Sequence, residues 1–235
     1  LTWQGTWFSM FIQALLSPIN NYGLPQLRVV MVTNAILFFI SLLYFVYSIC
    51  KVYGEKVIGA TVVIYTCFVY MLTAYKSYRE IFYWFSGATS YSYPLSLFLI
   101  ALGAAIRYQK DRKLRYLFLA IFSGIFATGG SLTVVGTGCY LGLLVLIFCF
   151  WKDKILRKDN CILFGIWFAG ALINAGAPGN FVRQQMGNEA GIRPVSAALM
   201  AVKDYYYRIR WFAENSDMVA IFFILVLIGV IFGGG

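Results

Sequence analysis

Apolar runs recur from one end of this chain to the other, and none of them contains an aspartate, glutamate, lysine or arginine. Seven can be marked, at residues 29–50, 57–74, 93–106, 116–128, 132–151, 161–177 and 218–232. Where water is excluded, every backbone N–H and C=O in such a run must be paired, and a helix does this within the segment. The expected fold is therefore all-α: a polytopic transmembrane helical bundle of about seven spans, forming one domain over residues 1–235. Composition agrees, with 61% of residues hydrophobic and 12% charged, about half the charge of a soluble domain. A bilayer core takes roughly 20 helical residues, with about 17 as the lower bound. The first, second, fifth and sixth runs meet that length. The third, fourth and seventh fall short, so they are expected to be broken helices or to extend into their flanks.

Charge placement gives an orientation. Lys51, Lys56, Arg107, Lys110, Arg112, Lys113, Arg115, Lys152, Lys154, Arg157 and Lys158 crowd three short connections. An even number of runs separates each of these connections from the next, so all three lie on one side, expected to be the cytoplasm. The net charge of +10 is thus read as a topology signal, and nucleic acid is not an expected partner. The N-terminal end, residues 76–92, 129–131 and the long stretch 178–217 then face outside. Residues 1–26 form an outer amphipathic segment, too short in its apolar part to span and free of acids.

What is missing narrows the chemistry. Histidine is absent, which removes histidine-ligated metal, bis-histidine haem and Ser-His or Cys-His catalysis. The five cysteines include no CxxC pair and read as small buried hydrophobes. Charge-free runs argue against ion-coupled transport, proton relays and voltage sensing, which place ionisable groups at membrane depth. Polar work is therefore expected at the outer face.

Three stretches there carry the candidates. In residues 76–94, Lys76, Arg79 and Glu80 precede an aromatic turn containing Trp84, then Ser86-Gly87-Ala88-Thr89-Ser90, then Pro94. Small residues before a proline that opens a helix read as an irregular loop, tolerated near membrane depth where it lines a cavity. The functional reading is an anion pocket around Lys76 and Arg79; the plainer one is an aromatic belt with snorkelling cations. The second stretch, Ala177-Pro178-Gly179-Asn180-Phe181-Val182-Arg183, ends a run and sets Arg183 about one turn beyond it. The third, within the outer loop 178–217, is an interfacial helix over 194–215. Leu199, Val202, Tyr206, Ile209 and Phe212 share one face at spacings of three and four. Lys203, Tyr207 and Arg210 lie on another, and Arg208 or Arg210 is placed to hold a lipid phosphate. The glycine-rich pieces 128–131 and 136–142 read as close helix packing.

The segments WQGTWFSMF, FYWFSGATSYSYP and APGNFVR, taken in order and orientation, resemble a bacterial multispan family of GT-C-type glycosyltransferase relatives. Its members are mostly uncharacterised, and are similar to enzymes that glycosylate cell-surface polymers from polyprenyl-phosphate sugars. The resemblance implies a GT-C-like bundle in the bacterial inner (cytoplasmic) membrane. It implies an outer cavity for a polyprenyl-phosphate-linked sugar, a glycan or lipid acceptor, and a catalytic carboxylate in the first outer loop. No acid stands there in this chain, so the expected base lies upstream of Leu1 and the chain is expected to be a piece of a longer protein.

On that reading a carboxylate deprotonates the acceptor hydroxyl while cations stabilise the departing phosphate. Lys76, Arg79, Arg183 and Arg210 are the available cations, with Arg79 and Arg183 first. Glu80 either orients Arg79 or is itself the base. Trp84, Tyr91 and Tyr93 are candidates to stack on sugar or contact polyprenyl, and Asn180 stands beside Arg183. No cofactor is expected, although a divalent metal is not excluded; Glu189, Glu214 and Asp217 are not arranged to hold one. The alternatives are a lipid or glycolipid transporter or flippase, a surface-polysaccharide polymerase, and a structural subunit of an assembly.

Overall fold

The computed structural model describes residues 5–17, 23–53, 57–74, 82–153 and 157–186, together with several helical positions between Leu199 and Glu214. Among the described residues the chain is all-helical and has no strand. Its helices are α1 (Trp7–Leu16), α2 (Gly23–Tyr53), α3 (Val57–Ala74), α4 (Tyr93–Asp111), α5 (Leu114–Thr128), α6 (Leu132–Asp153), α7 (Lys158–Ala175) and α8 (Pro178–Met186). A short turn, Phe85–Gly87, and a π-helical turn, Ala88–Ser92, lead into α4 without a break. α4 is the central element, flanked by α2 and α5, while α7 packs on α5 and α6.

The helix ends correct the sequence reading in several places. The first run begins six residues early, at Gly23, because Pro25 falls in the first turn, where its missing N–H costs nothing. The third run lengthens at its N-terminal side: residues 86–92, expected as an irregular loop, are helical. Pro94 therefore stands inside a continuous helix of 27 residues, Phe85–Asp111. Two helices among the described residues, Gly23–Val52 and Phe85–Asp111, are long and apolar enough to cross a membrane, against the expected seven or so. α5 has 15 residues, under the roughly 17 that a crossing takes, and the run at 218–232 lies outside the described residues.

Small residues set how closely the helices approach. A side chain at Gly124 would run into the Trp167 indole, whose Nε1 donates to the Ala120 carbonyl at 3.3 Å. Gly130 lies directly against the Pro94 ring, too close for any Cβ. Around these contacts sit Phe98, Ala101, Ala104, Ala120, Ala127 and Trp167, all buried. This bears out close packing as the role of the glycine-rich piece 128–131. Gly130→Ala is expected to destabilise the protein by about 1–3 kcal/mol through overpacking, read as a lowered thermal midpoint. Ala127→Gly, at the other end of the Gly130 N–H to Ala127 carbonyl bond, leaves the Pro94 contact intact and separates that clash from a weakened helix end.

Candidate functional site

Pro94 has no N–H to return to the Ser90 carbonyl four residues before it. In the π turn the Tyr93 N–H reaches back five residues, to Ala88. The Ser90 carbonyl instead accepts from the Ser131 backbone N–H at 3.0 Å. That hydrogen bond ties the lead-in of α4 to the turn between α5 and α6, and other elements converge on the same place.

The carbonyl of Gly129 accepts from the N–H groups of Phe8 and Ser9, at 3.1 and 3.3 Å. These are orphan donors of the first turn of α1, where Thr6 offers no side-chain cap. From α7, the buried Asn174 amide donates to the carbonyls of Thr128 (2.7 Å) and Gly130 (2.9 Å). Asn180 of α8 donates in turn to the Asn174 carbonyl at 2.7 Å. Gln13 of α1 reaches the hydroxyls of Thr89 and Ser90 at 2.9 and 3.3 Å. Trp7 and Phe8 close over Phe126, with ring centroids 5.7 and 5.3 Å apart. Five chain segments are thus knotted around Gly129-Gly130-Ser131, at one end of the bundle.

The expected site residues fall into four groups. Trp84 and Tyr91 are exposed, 59% and 48%, on the lead-in at the knotted end. Tyr93 and Asn180 are committed to the fold. The Tyr93 ring is buried, and its hydroxyl donates to the Val30 carbonyl (3.2 Å) and lies 3.0 Å from the Thr33 hydroxyl. Tyr93 therefore pins α4 to α2 and has no free face for a sugar, which corrects its expected stacking role. Asn180 spends its amide on the end of α7. Arg183 is a residue of α8, and Arg210 is exposed and paired with Glu214 at 2.7 Å. Lys76, Arg79 and Glu80 lie outside the described residues.

Sequence reasoning missed two features. Ser9, Asn34, Ser92 and Asn174 carry buried side-chain polar atoms without a hydrogen-bond partner among the described residues. Such atoms are uncommon in folded proteins. A buried polar residue in an apolar run, such as Asn34, is the signal that marks this in a sequence. The second is Arg107, assigned to a short basic connection but buried in α4 at the opposite end of the bundle. A crevice of about 80 Å³ between α4, α6 and α7 also lies toward that opposite end, lined by Ile106, Gln109, Gly142, Asn160, Phe164 and Trp167. Its described lining residues include no charged side chain. No group of three or more metal-ligating side chains occurs among the described residues.

No family model matches the chain, and no curated protein or solved structure is significantly similar to it.

Asn174→Leu removes both amide bonds and leaves the Thr128 and Gly130 carbonyls short of a donor. A loss of about 2–4 kcal/mol is expected, larger than for Asn180→Ala, whose site is half-buried. Thermal unfolding of the two variants side by side checks the order.

Proposed function

We propose that the knotted end faces outside and forms the floor of a lipid-linked sugar site, in a polytopic membrane glycosyltransferase of GT-C type. The enzyme transfers a sugar from a polyprenyl-phosphate donor to a cell-surface glycan or lipid acceptor. One observation carries the reading: the stretches that bear the resemblance, separated by up to about 170 residues of chain, meet around one three-residue turn. Phe8 and Ser9 of α1 and Ser90 of the lead-in bond to that turn directly, and Asn180 of α8 reaches it through Asn174. Trp84 and Tyr91 stand exposed at and along the lead-in that bonds to the turn, open to a ligand there.

On this reading the chain is multi-pass in the bacterial inner membrane, with the remaining apolar runs as further spans. The lysine- and arginine-dense connections face the cytoplasm. Trp84 and Tyr91 offer flat apolar faces to a sugar ring or to the first isoprene units. Arg79 and Arg183 stabilise the charge that develops on the departing phosphate, with Lys76 and Arg210 near the same face and Glu80 orienting Arg79. The acceptor hydroxyl gives its proton to a carboxylate of the first outer loop. Tyr93 and Asn180 hold the floor in place and touch no substrate.

The test is transfer by the full-length protein in proteoliposomes supplied with a polyprenyl-phosphate sugar. Arg79→Ala and Arg183→Ala are each expected to lower kcat by about 10²–10³. Trp84→Ala and Tyr91→Ala are expected to act mainly on KM. Unchanged transfer in both arginine variants overturns the assignment.

A further inference from the structure

At the end of the bundle away from the knot, cations and tyrosine rings alternate across three helices. Lys51 of α2 lies 5.6 Å from the Tyr47 ring centroid, and its ammonium donates to the Tyr47 hydroxyl at 3.3 Å. Arg107 of α4 stacks over Tyr47 on one side (5.7 Å) and over Tyr116 of α5 on the other (4.9 Å). Arg115 covers Tyr116 as well, at 4.9 Å. The Tyr116 hydroxyl accepts from both guanidinium groups, at 2.6 Å from Arg107 and 3.2 Å from Arg115. The sequence along this row is lysine, ring, arginine, ring, arginine.

Among the described residues the row is short of negative charge. Asp111, 3.1 Å from Arg107, is the one carboxylate paired with it among the described residues. Two neighbouring cations are engaged elsewhere: the Lys110 ammonium donates to the Lys51 carbonyl at 2.7 Å, and Arg112 pairs with Asp159 at 3.9 Å. Two guanidinium groups held on one phenol repel each other, and cation–π contacts offset that only in part. The Arg107 side chain is 9% exposed, yet its Nε has no hydrogen-bond partner among the described residues. A buried guanidinium N–H left unpaired is costly.

We propose that this ladder binds a phosphate group, which bridges Arg107 and Arg115 where their guanidinium groups meet on the Tyr116 hydroxyl, with Lys51 adding positive charge along the row. Phosphate supplies the missing charge and several acceptor oxygens, and arginine's planar fork suits them. Depth favours a lipid headgroup as the carrier. The two helices long enough to cross a membrane, Gly23–Val52 and Phe85–Asp111, both end at the ladder, where headgroups lie. The proposal rests on the membrane reading of those helices and not on the transfer reaction.

The experiment follows thermal unfolding of the detergent-solubilised protein with added phosphatidylglycerol, phosphatidylcholine or glycerol 3-phosphate. Phosphatidylglycerol is expected to raise the midpoint by about 5 °C, with little change from the zwitterionic lipid. The rise is expected to vanish in Lys51→Gln/Arg115→Gln. These two side chains are at least partly exposed, so the fold survives their change; the single variants, each losing about half the rise, serve as a second reading. Arg107→Lys keeps the charge but loses the fork, and is expected to retain less than half. An equal rise with phosphatidylcholine, or an undiminished rise in the double variant, overturns the proposal. An equal rise with glycerol 3-phosphate upholds the phosphate site and overturns the lipid as its carrier.

Discussion

A backbone carbonyl deprived of its donor has few remedies in an interior this apolar. Pro94 creates that situation at Ser90, and the Ser131 N–H resolves it from a turn forty residues further along. Much of the rest follows from this bond. It fixes the Gly129-Gly130-Ser131 turn against the Pro94 ring, so Gly130 can carry no side chain. The turn then presents its carbonyls to α1 and to Asn174, which satisfy their own orphan donors there. The backbone groups at the knot relieve one another, which suits a medium where an unpaired group is expensive, while Ser9 Oγ, Ser92 Oγ and Asn174 Oδ1 stay without a partner among the described residues.

The two ends of the bundle solve opposite problems. The knotted end uses neutral donors and acceptors, mostly backbone, and builds precise placement from them. The other end gathers charge: Arg107 is buried between tyrosines, and Lys110 and Arg112 take up the α2 C-terminus and Asp159. α4 joins the two. Its 19 residues rise about 28 Å at 1.5 Å each, close to the thickness of a bilayer core. Tyr93 pins it to α2 at one end, and the shared Tyr47 contact of Arg107 does so at the other.

Much of the helical architecture was legible in the sequence, because charge-free apolar runs leave the backbone little besides helix. The short connection at 129–131 and the end of the run at Ala177 were legible from their small residues, glycine and proline, but Pro178 read as a stop and not as the start of α8. The stretch at 86–92 was not. Serine, glycine and threonine before a proline point to a loop, but Gln13 of α1 and Ser131 of the turn supply polar partners from distant parts of the chain and hold the stretch in helical form. Tyr93 read as a ligand for its position beside that stretch, whereas its hydroxyl serves α2. Arg107 read as one more cation of a short basic connection. Nothing local shows that Tyr47 and Tyr116, sixty residues before it and nine after it, enclose it.

The central claim is that the knot is one cooperative unit built on backbone hydrogen bonds across segments. Amide hydrogen exchange at Ser131, Phe8 and Ser9 tests it most directly, since none of these N–H groups has an ordinary place within a helix. The account predicts that all three exchange as slowly as the interior of α4 and open together as conditions become destabilising. Exchange at the rate of an exposed turn, or three unrelated opening free energies, would contradict it.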